Sequence, residues 1–96
     1  MRPIRDKKIS KMEPGDSLTI KKVSEPEFLI YAKEEVAALF AEGVSLSDPG
    51  KFADILEIIN NVCDIIKIDW YECQKIKSSK RWEEGSYSGC MIAKDD

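Results

Sequence analysis

The sequence predicts an all-α protein, built from an antiparallel pair of long helices with a shorter third helix beside it. Three observations lead there. Apolar residues recur at helical spacing in two stretches, roughly 25–42 and 51–66. Capping and stopping residues frame the helical segments. Strict alternation is confined to Leu18-Thr19-Ile20, which reads at most as a short extended piece.

The chain opens on a basic arm carrying Arg2, Arg5, Lys7, Lys8 and Lys11, broken by Asp6. Glu13-Pro14-Gly15-Asp16 follows as a turn. Ser24 begins the first long helix. With Glu27 three residues on it forms a capping box, and Pro26 suits the first turn. Gly43, after Glu42, is the expected stop. Phe28, Leu29, Ala32, Val36, Leu39 and Phe40 share one broad face. Glu27, Glu34, Glu35 and Glu42 share the other, with Tyr31 and Ala38 among them.

A serine-rich loop from Val44 to Gly50 offers Ser47 as the next N-cap. The second helix is expected over Lys51–Ile66. Its apolar face holds Phe52, Ile55, Leu56, Ile59, Val62, Cys63 and Ile66, widened by Ile58 and Ile65. So wide a stripe suits a helix buried against more than one neighbour. Asp69 with Glu72 resembles another capping box and opens a third helix running to about Trp82. That helix is basic, with Lys75, Lys77, Lys80 and Arg81. Gly85 to Gly89 is a loop, Cys90-Met91-Ile92 a short apolar end, and Lys94 to Asp96 a frayed terminus.

The totals bound what such a chain does. Ninety-six residues make one small domain, divided into a basic arm (1–23), a helical core (24–82) and a C-terminal loop and tail (83–96). Two long helices do not close a four-helix core, so pairing through the isoleucine-rich face, as a homodimer or a dimer-based oligomer, is expected to complete it. Hydrophobic residues are 43% and charged residues 34%, a globular balance rather than a disordered one. The net charge of -3 argues against a nucleic-acid binder, although a local basic patch remains open. No apolar run approaches the roughly 18 residues of a membrane span, and the charged start resembles no secretory signal. A cytoplasmic location is the default.

The absence of histidine removes the commonest general base and a favoured ligand for zinc, copper and iron. Cys63, Cys73 and Cys90 are odd in number and widely spaced, which points to a reduced protein without a disulfide framework or zinc site. Cys63 reads as core. Tyr31, on the acidic face, could stack on a nucleobase, whereas Trp70 and Tyr71 read as packing anchors.

Carboxylates carry the remaining chemistry. Antiparallel helices can bring Glu34 and Glu35 near Asp54 and Glu57, a set suited to Mg²⁺ or Mn²⁺ bridging a phosphorylated substrate. Periodicity alone favours the alternative, two solvated acidic faces. The lysines and arginines of the arm and third helix could hold phosphates or a nucleic-acid backbone, or serve only as solvated surface.

Several pieces together resemble a known family. Arg5-Asp6-Lys7 resembles the opening R-D-K-I of MazG-like nucleotide pyrophosphohydrolases, which include relatives of phosphoribosyl-ATP pyrophosphohydrolase. Phe28-Leu29 followed by Lys33-Glu34-Glu35-Val36 resembles their first acidic helix. Phe52 to Ile59 resembles their E-L-A-D-V-L-E-V-I helix, and Lys80-Arg81 with Gly85-Ser86-Tyr87 their closing K…R-G-G-F segment. The resemblance implies an all-α fold completed by oligomerisation. It implies Mg²⁺-dependent cleavage of a nucleoside triphosphate, or a related phosphoribosyl nucleotide, to the monophosphate and pyrophosphate. Glu34, Glu35, Asp54 and Glu57 would take part in catalysis, with Glu35 and Asp54 on the metal. Arg5, Lys7, Lys80 and Arg81 would hold phosphates.

The chain departs from that pattern at defined places. The family's E-x-x-E and E-x-x-D positions fall here on Glu35, Ala38, Lys51 and Asp54. Two of the four are acidic, one has no ligand atom, and one is a cation. The arginine before the closing glycine is replaced by Glu84, with Arg81 three residues earlier. Lys51 could instead pair with Glu35 or Asp54 and replace the metal's charge. Three functions therefore compete: an active pyrophosphohydrolase with an altered site, a weakened or inactive family member binding a nucleotide or regulating a protein, and a nucleic-acid module using the arm and third helix.

Overall fold

The structure is a computed structural model, and the residues described are 1–13, 15 and 19–94. Pro14, Asp16 and Leu18 lie outside them, so the turn at 13–16 and the extended piece at 18–20 are described only in part. Asp95 and Asp96, expected to fray, lie outside them as well. Four helices follow in order: α1 (Asp6–Ser10), α2 (Glu25–Leu46), α3 (Pro49–Ile65) and α4 (Trp70–Glu84). Among the described residues there is no strand.

The all-helical class agrees with the sequence, and so does the hairpin. Only Ser47 and Asp48 separate α2 from α3, so the two helices fold back along each other. The predicted N-cap at Ser24 is present: its hydroxyl accepts from the Glu27 N–H at 3.3 Å. Asp69 likewise accepts from the N–H groups of Tyr71 and Glu72, at 2.8 and 3.2 Å. A short helix, α1, lies inside the basic arm, where the sequence suggested none; Asp6 stands in its first turn, but none of its residues is buried.

The end of α2 corrects the sequence reading. Gly43 does not stop the helix, which continues one turn to Leu46. Ser47 adopts the left-handed conformation instead (φ 51°, ψ 44°), and the Asp48 N–H reaches back to the Gly43 carbonyl at 3.1 Å. That bond closes the helix in the Schellman manner. Gly43 itself is buried. A methyl group there would lie 2.8 Å from Cε2 of Phe52 and 3.2 Å from Cβ of Lys51. The glycine is therefore kept for the close approach of α3, not for its backbone freedom. The N-cap of α3 is Asp48 rather than Ser47, with its carboxylate accepting from the Gly50 N–H at 2.8 Å. Proline at the first position of α3 suits this start.

Helix α3 ends on a second Schellman-type turn. The Ile68 N–H bonds the Cys63 carbonyl at 2.8 Å, and Lys67 takes a positive φ of 65°. Helix α4 leaves from this turn, touches the hairpin only through α3, and runs to Glu84, two residues past the expected end.

Burial is thin. Ala32, Leu39, Ile55 and Cys63 are the buried apolar residues among those described, and they lie along the α2–α3 seam and the end of α3. Cys63 is core, as its helical position predicts. The radius of gyration is 16.9 Å, against about 13 Å for a compact chain of this length. Helix α4 meets α3 alone, and the chain is elongated, with extents of 53 × 32 × 28 Å.

A candidate site on the polar face of the hairpin

At about 100° per residue, Tyr31, Glu35, Ala38 and Glu42 fall on one flank of α2, and Lys51, Asp54 and Ile58 on the matching flank of α3. The observed contacts place these flanks on one face. The Lys51 ammonium lies 3.1 Å from Glu42 across the turn. The Arg5 guanidinium donates to Asp54 at 2.6 Å. The Tyr31 hydroxyl lies 3.6 Å from the sulfur of Met1. Residues 1–5 thus form a short strap onto this face, with Pro3 and Ile4 half-buried.

The four positions of the expected metal pattern occupy this face. Glu35 and Asp54 are half-buried, and Ala38 is exposed. Glu34, one residue round from Glu35, is exposed and faces away from α3. Glu57 is exposed but stands close enough to Arg5 to raise its pKa, after the larger effect of the hydrogen bond to Asp54. Glu57 also accepts from its own helix, through Asn61 Nδ2 at 3.3 Å. Lys51 differs from its expected pairing: its partner is Glu42, not Glu35 or Asp54. That hydrogen bond is the main reason its pKa is raised, with smaller contributions from Asp48 and Asp54.

Two cations therefore flank Asp54. Arg5 sits on its carboxylate and Lys51 lies one turn earlier on the same helix. A divalent ion needs several oxygen donors around one point. Here Ala38 supplies none, Lys51 supplies a positive charge, and Asp54 is committed to Arg5. Among the described residues no group of three carboxylate or thiol side chains converges. The donor set does not fit the Mg²⁺ or Mn²⁺ that the sequence pattern suggested.

The expected phosphate-binding residues are not all brought together. Arg5 is on the polar face and Lys7 follows it in α1, whereas Lys80 and Arg81 are exposed near the far end of α4, which does not meet α1. A shallow groove of about 400 Å³ lies apart from these residues, at the α3–α4 junction, lined by Lys67, Ile68, Asp69, Glu72, Cys73 and Ile76. Trp70 is half-buried, as an anchor should be, but Tyr71 is exposed.

Sequence reasoning missed Glu42 as the partner of Lys51. The signal was present: the two residues stand just either side of a tight interhelical turn, where antiparallel helices bring side chains together. Among the described residues no helix is long and apolar enough to cross a membrane. Comparison with family models, curated proteins and solved structures gives no match.

Proposed function

We propose that the chain is a MazG-like helical hairpin that binds a nucleotide or similar phosphorylated ligand without hydrolysing it. One observation carries this reading. Asp54, one of the two carboxylates left in the family's four-position metal pattern, is held by Arg5 at 2.6 Å. Fixed cations then stand where the family resemblance would put a metal and its ligands. They neutralise the carboxylates, which is a structural role, but they cannot activate water as a metal does. Arg5, Lys7 and Lys51 remain able to contact phosphate oxygens by charge-assisted hydrogen bonds. Tyr31 lies on the same face and offers a ring to a base.

Calorimetric titration with a non-hydrolysable nucleoside triphosphate, with and without Mg²⁺ or Mn²⁺, tests the proposal. The expected result is nucleotide binding that needs neither ion, and no pyrophosphate release from a nucleotide panel at high protein concentration. Turnover of any nucleotide in Mn²⁺ would overturn it and restore the active pyrophosphohydrolase, with Glu34, Glu35, Asp54 and Glu57 as participants.

A further inference from the structure

Two of the groups that the nucleotide reading assigns to a ligand are already engaged from within the chain. The Arg5 guanidinium has the fork of donors that suits a phosphate. Here its Nη2 donates instead to Oδ1 of Asp54, at 2.6 Å. Glu57, one turn further along α3, adds a second negative charge that acts on the same guanidinium. The Tyr31 hydroxyl, at the edge of the ring offered to a base, meets the sulfur of Met1 at 3.6 Å. Residues 1–5 make both contacts, so one short strap engages the phosphate group and the base group together.

The hold is weak enough to be exchanged. The Arg5 and Asp54 side chains are both about half exposed, a setting in which an ion pair adds little stability. Met1 is 76% exposed, and a thioether is a weak acceptor. Helix α1, which follows the strap, buries none of its residues. A polyphosphate carries several charges where Asp54 carries one, and its oxygens match the guanidinium fork, so it competes well for Arg5. It does not simply join the existing pair, because the Asp54 carboxylate repels it.

We infer that Asp54 is an internal competitor for the ligand's phosphates. With Arg5 on Asp54 the strap is seated on the hairpin. A bound polyphosphate takes Arg5 from Asp54 and lifts Met1 from Tyr31. The inference rests on the nucleotide reading above and adds the regulation of that site. Seated and ligand-bound chains exclude each other, so the apparent affinity falls with the share of chains whose strap is free.

Two measurements on the full chain test the exchange. The first is calorimetric titration with a non-hydrolysable ATP analogue. Asp54→Asn is expected to bind it about threefold more tightly than wild type, the factor that loss of a surface ion pair supplies. Arg5→Gln is expected to bind it less tightly. A pair that only holds the arm in place predicts the same sign for both variants. Glu57→Gln removes an equal charge one turn away and leaves the hydrogen bond, so its gain is expected to be smaller. The second is the nuclear Overhauser contact between the Met1 methyl group and the Tyr31 ring. It is expected in the free wild type and lost at saturation with the analogue.

A contact that persists at saturation would overturn the inference. So would an Asp54→Asn variant that binds no more tightly than wild type, or whose gain Glu57→Gln matches. In each of these cases nucleotide binding itself stands. If the analogue binds neither wild type nor Asp54→Asn, the nucleotide reading falls and the exchange falls with it.

Discussion

Arg5 and Asp54 are 49 residues apart in sequence, yet the guanidinium of one lies 2.6 Å from the carboxylate of the other. Both side chains are about half exposed, so the pair is screened by salt and contributes modestly to stability. Its importance is positional. It fastens the N-terminal strap to the flank of α3 that carries Asp54. Arg5→Gln is expected to release the strap: limited proteolysis should cut the arm faster, with little change in the melting of the helical core. Equal cutting rates in the two proteins would show that Arg5 does not hold the strap down.

Metal affinity can be built back if the pattern has been read in the right register. The wild type should show no rise in melting temperature with millimolar Mg²⁺ or Mn²⁺. Ala38→Glu with Lys51→Glu adds two carboxylates, and Arg5→Gln in the same chain frees Asp54. The triple variant is expected to gain a clear thermal shift with Mn²⁺, larger than that of the double variant. If neither gains one, positions 38 and 51 are not the missing ligands, and the resemblance to the family's metal helices has been placed wrongly.

The contact between Gly43 and Phe52 makes a packing prediction. Alanine at 43 improves helix propensity by roughly 1 kcal/mol, but its methyl group would crowd both Phe52 and Lys51. Overpacking of this kind costs about 1–3 kcal/mol, and the Lys51 Cβ is fixed to the α3 backbone and yields little. Gly43→Ala is therefore expected to be neutral to destabilising by about 2 kcal/mol, and Gly43→Leu to cost more. Chemical denaturation measures both. A stabilised Gly43→Leu would mean that the two helices are not packed this closely.

These particulars show which features the sequence carries plainly. Helix identity follows from periodicity, and the caps at Ser24 and Asp69 follow from side chains that bond the next turn's N–H groups. Both are local, so they are legible. The role of Gly43 was not, because a glycine after an acidic helix reads as a stop unless the neighbouring helix is known to lie against it. The same holds for Arg5. Its residue type suggested phosphate binding, while its pairing with Asp54 depends on where the arm folds back. The half-exposed stripe at Phe52, Leu56 and Ile59 was legible as apolar, but only the fold separates the part facing α2 from the part left bare.

The ion pair between Lys51 and Glu42 carries a pH dependence with a definite sign. The carboxylate beside it raises the Lys51 pKa above its ordinary 10.5, chiefly through the hydrogen bond. A raised folded-state value means the folded chain holds the proton more tightly than the unfolded one. The pair's contribution is therefore complete below pH 10.5 and is lost as the pH climbs through the raised value. Glu42→Gln removes the charge on one side. The gap in melting temperature between wild type and Glu42→Gln is expected to be constant from pH 7 to about 9 and to close above the ordinary lysine value. A gap that persisted into strong alkali would assign the effect of Glu42 to packing rather than to the charge on Lys51.

Two left-handed residues invite stabilisation. Ser47 and Lys67 take positive φ at the ends of α2 and α3, where a side chain crowds the backbone and glycine does not. At each position the native conformation penalises the residue present by roughly 1 kcal/mol or more, and the added freedom of glycine in the unfolded chain offsets part of the relief. Lys67→Gly and Ser47→Gly are each expected to raise stability by about 0.5 kcal/mol. The sites lie at opposite ends of α3, so the double variant should gain close to the sum. Denaturant midpoints would show this directly. A loss of stability in Lys67→Gly would mean that the lysine side chain makes contacts at the α3–α4 junction worth more than the strain it imposes on the turn.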